Sequence, residues 1–209
     1  MTATGRRRSP AALPLAAVAL AIGLSAVAGC AAPAPPAGHS AGPAALPTAF
    51  AWFTAAPAPA GWKTAALSDG TGVLSYPPDA VPLQTDPGTA TVGTRDTGGR
   101  IALYLNTTPR QGTESLASWT HSRLAHLLED TAATATLSAA ATGLAFRGGT
   151  GSCVIDDYVT KIGAHHYREM ACLVAGDHGS SVLVAAAPAA DWTRYRDVLE
   201  RAVDAYTAR

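Results

Sequence analysis

Asp156, His165, His166 and Glu169 lie in one short stretch and are of the kinds that ligate a divalent cation or exchange protons. The metal reading places a cation between Asp156 and Glu169, with His165 as a third donor. A hydrolytic reading uses the same carboxylates with His165 and His166, or the adjacent Asp177 and His178 as a base steadied by an acid. Against both stand plainer roles, since strand faces carry solvated acids and hairpin-tip histidines are ordinarily surface residues. His178 lies between Gly176 and Gly179, in a turn with no nucleophile nearby in sequence. His121 and His126 fall on a helical stretch, but five residues place them about 140° apart around the axis, so they cannot share a metal. The Gly148 to Gly151 run precedes a strand, whereas a phosphate cradle must open a helix. Neither a metalloprotease H-E-x-x-H nor a P-loop is present, and no cofactor is expected.

The amino-terminal segment carries an address. Arg6, Arg7 and Arg8 precede an uncharged Ala/Leu/Val run from Ala11 to Ala28, which stops at Val27-Ala28-Gly29-Cys30. That order is a signal peptide's: cationic residues stay inside, the apolar run enters the bilayer, and small residues fit the peptidase. The last four residues resemble the lipobox of bacterial lipoproteins, in which the cysteine takes a diacylglyceryl group and becomes the new amino terminus. Cys30 is therefore the expected lipidation site, residues 1–29 the leader, and the cell membrane's extracytoplasmic face the expected location. The Arg run raises the twin-arginine export route, although Ser9-Pro10 stands where that signal usually carries an apolar residue. The chain has 15 Lys and Arg against 15 Asp and Glu, and the leader removes three of the former. The acidic remainder, with no basic cluster, excludes nucleic acid as a partner and leaves the lipid as the attachment to the membrane.

With Cys30 assigned to lipid, Cys153 and Cys172 are an even pair in an oxidising compartment, and a disulfide is expected. It would close a loop of about 20 residues and contribute about 3 kcal/mol in the chain-entropy model. If the two cysteines face each other across a hairpin, Ile155 opposes Met170, Asp157 opposes Arg168 and Tyr158 opposes Tyr167. These are apolar, ionic and aromatic pairs, each favourable. The same register sets Asp156 against Glu169. Two facing carboxylates must be solvated, share a proton or hold a cation.

The elements that would position these groups follow from periodicity. Residues 30–60 are Ala, Pro, Gly and Ser with almost no charge, and read as a disordered, semi-extended tether. Phe50, Trp52 and Phe53 interrupt it: the plainer reading folds them back on the domain, and the alternative makes them a patch for a partner or the membrane interface. Residues 61–209 have the length of one domain with its own core. Strands are expected at 72–76, 89–95 and 100–106, a helix over 113–129 with Thr113 as its cap, and strands at 134–146, 152–161, 167–175 and 181–187. A closing helix carries Trp192, Tyr195, Leu199, Ala202 and Tyr206, with Asp191 as its cap. The fold class is α+β, with short turns favouring antiparallel pairing.

Gly61-Trp62, the strand ending in Tyr76-Pro77-Pro78, the strand ending in Asn106, the Trp119 helix, the runs Gly151 to Tyr158 and Tyr167 to Val174, and the Trp-led last helix form a pattern. It resembles the small actinobacterial lipoproteins of the LpqN type, with a PsbP-like α/β/α sandwich. The resemblance spans most of residues 61–206. It implies a mostly antiparallel sheet covered by helices on both faces and an accessory role through binding, and it carries no catalytic residue onto this chain. Two functions are therefore set against each other. One is a non-enzymatic envelope lipoprotein that binds a protein or a small apolar ligand. The other is an extracytoplasmic hydrolase or metal-binding protein built on Asp156, Glu169, His165 and His166.

Overall fold

The computed structural model describes residues 47–209. The leader, Cys30 and the tether up to residue 46 lie outside the described residues. In chain order the strands are β1 (Lys63–Ala66), β2 (Gly72–Tyr76), β3 (Val81–Pro82), β4 (Ala90–Arg95) and β5 (Ile101–Pro109). They are followed by helix α1 (Trp119–His126), strands β6 (Ala132–Phe146), β7 (Gly149–Thr160), β8 (His166–Gly176) and β9 (Gly179–Pro188), helix α2 (Trp192–Asp204) and strand β10 (Thr207–Ala208). A seven-stranded sheet has the order β3-β4-β5-β9-β8-β7-β6, and a three-stranded one the order β1-β2-β10; every strand pair in both is antiparallel.

The large sheet is apolar on both faces, so both need cover. Leu105, Cys172, Val174, Leu183 and Ala185 point to one face, where they pack with Leu199, Ala202 and Val203 of α2 and with Leu74 and Tyr76 of β2. The residues between them, Ala171, Leu173, Val184 and Ala186, point the other way and meet Trp119 of α1. One helix thus covers each face. Strand alternation, with successive side chains on opposite sides, produces the two layers directly.

The β7–β8 ladder has the register anticipated from the cysteines: Cys153 pairs with Cys172, Ile155 with Met170, Asp156 with Glu169, Asp157 with Arg168 and Tyr158 with Tyr167. The disulfide between Cys153 and Cys172 joins Cα atoms 4.0 Å apart. Arg168 bonds Asp157 at 2.9 Å, and the Tyr158 and Tyr167 rings stack with centroids 5.7 Å apart.

The structure decides the place of the aromatic run and corrects the helix ends. Residues 48–56 pack against the domain, so Phe50, Trp52 and Phe53 take the plainer of their two readings, folded back on it, and do not form an exposed docking patch. Phe50 and Phe53 are 1% and 8% exposed, Phe53 packs on Phe146 at 4.8 Å between ring centroids, and the Trp52 indole N–H donates to the Ala49 carbonyl. The backbone N–H groups of Thr54 and Ala56 then donate to the side chain and the carbonyl of Asp204. Burying a phenylalanine side chain contributes about 1.5–3 kcal/mol, which favours packing this segment on the domain. The helix expected over 113–129 begins at Trp119, and Thr113 is an exposed loop residue. Ser115 and Ser118 bond each other's backbone N–H groups, a local turn that competes with helix. At its far end α1 widens into a π-helical turn, Leu127–Thr131, and the inserted residue leaves Leu127 buried but Leu128 45% exposed. Asp191 occupies the cap position of α2 without a side-chain bond to it. Tyr206 lies past the end of α2. Its buried hydroxyl bonds Thr107 at 2.9 Å and Ser181 at 2.6 Å.

Candidate functional site

The registers of four neighbouring strands place Tyr104 (β5), Ala186 (β9), Glu169 (β8) and Asp156 (β7) in one row across the α1 face. The next row along brings the Tyr167 and Tyr158 pair to the same face. Ala186, the smallest member, lies between Tyr104 and Glu169. Strands two apart are separated by roughly 9.6 Å, so an alanine there leaves a hollow between larger neighbours. Helix α1 roofs only part of it. Trp119 anchors the helix by donating its indole N–H to the Ala171 carbonyl at 2.9 Å, and one turn on Arg123 donates Nε and Nη2 to Glu169 Oε1. A further turn carries His126 and Leu127 to the rim.

The result is a cavity of about 310 Å³ lined by Tyr104, Tyr158, Tyr167, Ile101, Leu127 and Val184 together with Arg123 and Glu169. A second hollow of about 190 Å³ adjoins it, sharing Asn106, Arg123, His126 and Val184. Asn106, His126 and Thr131 also line the larger cavity, which is thus mixed, aromatic and aliphatic walls alternating with polar groups that could orient a small molecule.

The facing carboxylates are not solvated, for Asp156 and Glu169 are 0% and 1% exposed. Glu169 is paired with Arg123. Burial works against the guanidinium's charge, but the Glu169 carboxylate holds its pKa above the ordinary value. Asp156 has no hydrogen-bond partner on either oxygen. Burial first, and the Glu169 charge second, push its carboxyl up to about 8 against the pull of Arg123, so it keeps its proton at neutral pH. Burial raises the Tyr158 hydroxyl too, with Glu169 adding to it, so that it stays a neutral donor.

The histidines are not brought to this site. His165 is exposed in the turn before β8. His166 points to the opposite sheet face, its Nε2 3.9 Å from Asp157 Oδ1. Glu169 thus faces Asp156 and is engaged by Arg123, but it is separated from the histidines with which the pair would have formed a metal or hydrolytic site, and among the described residues no three His, Cys, Asp or Glu side chains are arranged to hold a cation. Asp177 and His178 are exposed in the β8–β9 turn, where the His178 backbone N–H donates to the Arg209 carbonyl at 2.7 Å. His121 is exposed, and His126 Nε2 lies 3.2 Å from Asp130 Oδ2.

Arg123 and Tyr104 are the members that sequence reasoning missed. A signal for Arg123 existed: with Leu116, Trp119 and Leu127 it falls on one helical face, and a cation on an apolar face implies a buried acid.

The fold and cavity define an α+β sandwich with a ligand-sized hollow beneath one of its helices. No protein-family model matches the chain, and no curated protein matches it. Solved structures do. Cyanobacterial PsbP (CyanoP) from Synechocystis is similar at 10% identity with a TM-score of 0.49, covering 71% of this chain and 92% of its own. A Pseudomonas aeruginosa protein of unknown function, PA94, is similar at 12% identity with a TM-score of 0.46, covering 71% and 97%. LpqN of Mycobacterium tuberculosis, involved in cell envelope biogenesis, is similar at 13% identity with a TM-score of 0.32, covering 72% and 80%. These likenesses concern architecture, and no cavity residue is transferred from them.

Proposed function

We propose that the protein is an extracytoplasmic lipoprotein, held to the cell membrane through Cys30, whose domain is a non-enzymatic binding module for a small, largely apolar ligand. The observation that carries the binding role is the cavity between α1 and the β5-β9-β8 strands, whose floor is Ala186 and whose walls are three tyrosines, Ile101, Leu127 and Val184. At about 310 Å³ it lies at the lower end of the size range of ligand pockets. The anchoring half rests on the leader, the Val27-Ala28-Gly29-Cys30 run and the pairing of the other two cysteines with each other. Among the described residues no helix is long and apolar enough to cross a membrane.

The binding role is tested with the mature chain, made without its leader and with Cys30→Ser so that no detergent competes. N-phenyl-1-naphthylamine, a dye that fluoresces in apolar surroundings, should brighten with the wild-type domain. The brightening should be lost in Ala186→Phe, which fills the floor. Absence of dye binding to wild type, or equal binding to a folded Ala186→Phe variant, overturns the reading.

A further inference from the structure

The ligand's chemical class is written in the imbalance of the site, an inference that rests on the cavity being a ligand site. Two carboxyl groups face each other beneath α1, and one guanidinium serves them. Arg123 spends Nε and Nη2 on Glu169 Oε1, and both oxygens of the fully buried Asp156 remain without a partner. A neutral carboxyl facing a carboxylate can share its proton with it, so Asp156 has Glu169 as its facing polar neighbour, and the pair of acids has a single cation between them. The charged groups around Asp156 are Glu169 from β8, Arg123 from α1 and Asp157 on its own strand; Asp156 is not itself part of the cavity lining, to which α1 also contributes His126, and reaches it through the facing Glu169. The β6 residue opposite it is Leu137, and Tyr158 follows on its own strand. The cavity in front of Glu169 is lined by Tyr104 and by Tyr158 and Tyr167, which stack on each other. Aromatic faces are negative, and several around one space bind cations, alkylated ammonium ions above all.

We infer that the cavity takes an organic cation, an ammonium group bearing apolar substituents, held by the three tyrosine rings beside Glu169 and balanced by Asp156. The exchange conserves charge. Without ligand, Arg123 and Glu169 cancel and Asp156 is neutral. When the cation enters, the Asp156 proton leaves to solvent, and two cations then face two carboxylates.

Calorimetry on the same soluble mature chain tests this with choline and with 3,3-dimethylbutan-1-ol, its neutral isostere. Choline should bind at least 10-fold more tightly. Titration at pH 7 in two buffers of different ionisation enthalpy should show release of close to one proton per choline bound. Asp156→Asn should abolish the release, and Tyr167→Leu should reduce choline's advantage. Equal binding of choline and the isostere overturns the inference and leaves the apolar-ligand reading standing, as does dye binding with no choline binding. Failure of both the dye and choline overturns the binding reading itself. The wild-type comparison needs no variant to fold. Sedimentation with phosphatidylcholine vesicles, lost in Tyr167→Leu, would assign the cation to a lipid headgroup; retention in the supernatant with choline still bound would assign it to a free molecule.

Discussion

Asp156 couples the protein's stability to pH, and the sign follows from its environment. Its carboxyl is raised from 3.8 to about 8 on folding, so between those values the folded state holds a proton that the unfolded chain has lost. Stability therefore falls as pH rises from about 4 to about 8, and levels off above. Asp156→Asn keeps the neutral form's shape and places an amide donor opposite Glu169. Its melting temperature should match wild type near pH 4, exceed it increasingly up to about pH 8 and by a constant margin above, an amount worth on the order of a few kcal/mol. Parallel melting curves across that range would refute the account. Tyr206 makes a contrasting case. Tyr206→Phe removes the bridge between the Thr107 and Ser181 hydroxyls and should cost roughly 1–3 kcal/mol in urea denaturation, with dye binding unchanged, because that cluster is on the α2 face.

Helix α1 is short, and two contacts deep in the sheet's other face hold it. Removing one side of its ion pair is worse than removing both. Glu169→Leu strands the Arg123 charge and should cost about 3–5 kcal/mol, whereas Arg123→Met combined with Glu169→Leu should recover most of the loss. A double-mutant cycle showing simple additivity would mean the pair is not coupled. The β7–β8 hairpin has a different reinforcement. Replacing Cys153 and Cys172 by alanine should lower unfolding free energy by about 2–4 kcal/mol without changing the circular dichroism spectrum, since apolar, ionic and aromatic pairs maintain the same register. That register was legible beforehand because a cysteine pair supplies one constraint and period-two alternation supplies the rest. The long strands were legible for the same reason. Strands β1, β3 and β10 were not: at two to four residues they have no period to detect, and they exist only because the sheet next to them offers hydrogen bonds. The late start of α1 was hidden because Thr113 and Ser118 are both acceptable caps, and the Ser115–Ser118 turn decides between them. The cavity was the least legible feature, since it arises where four registers bring a small side chain between large ones, and no single segment contains that information.

On the scale of the whole chain, the anchor has a direct check. Wild-type protein should partition into detergent and yield an amino-terminal peptide whose mass includes a diacylglyceryl group on Cys30, whereas Cys30→Ser should remain a precursor without it. An unmodified wild-type Cys30 peptide would remove the lipid from the account. The overall α+β class followed from alternation between strand-like and helix-like periods, whereas helical cover on both faces was implied only by the family resemblance. The aromatic triplet's return to the domain was anticipated as its plainer reading, but the point where the domain begins was not, because a Pro-rich stretch has no period to mark it.

With the proposed lipid on Cys30, the domain's leading edge would set how it hangs from the membrane. Phe50 and Phe53 wedge the incoming chain into the α2 side of the sheet, and Thr54 and Ala56 fasten it to Asp204. Only about 17 residues then separate Cys30 from Pro47, a reach of at most roughly 60 Å, little more than half of what a tether running to residue 60 would span. Any pull from the membrane would be delivered to the end of α2, and the aromatic wedge would act as a strain relief that shields the rest of the sheet. The cavity opens on the other side, where the load does not pass. An anchored domain could therefore be tugged, reoriented or crowded from behind while its binding face stays undistorted.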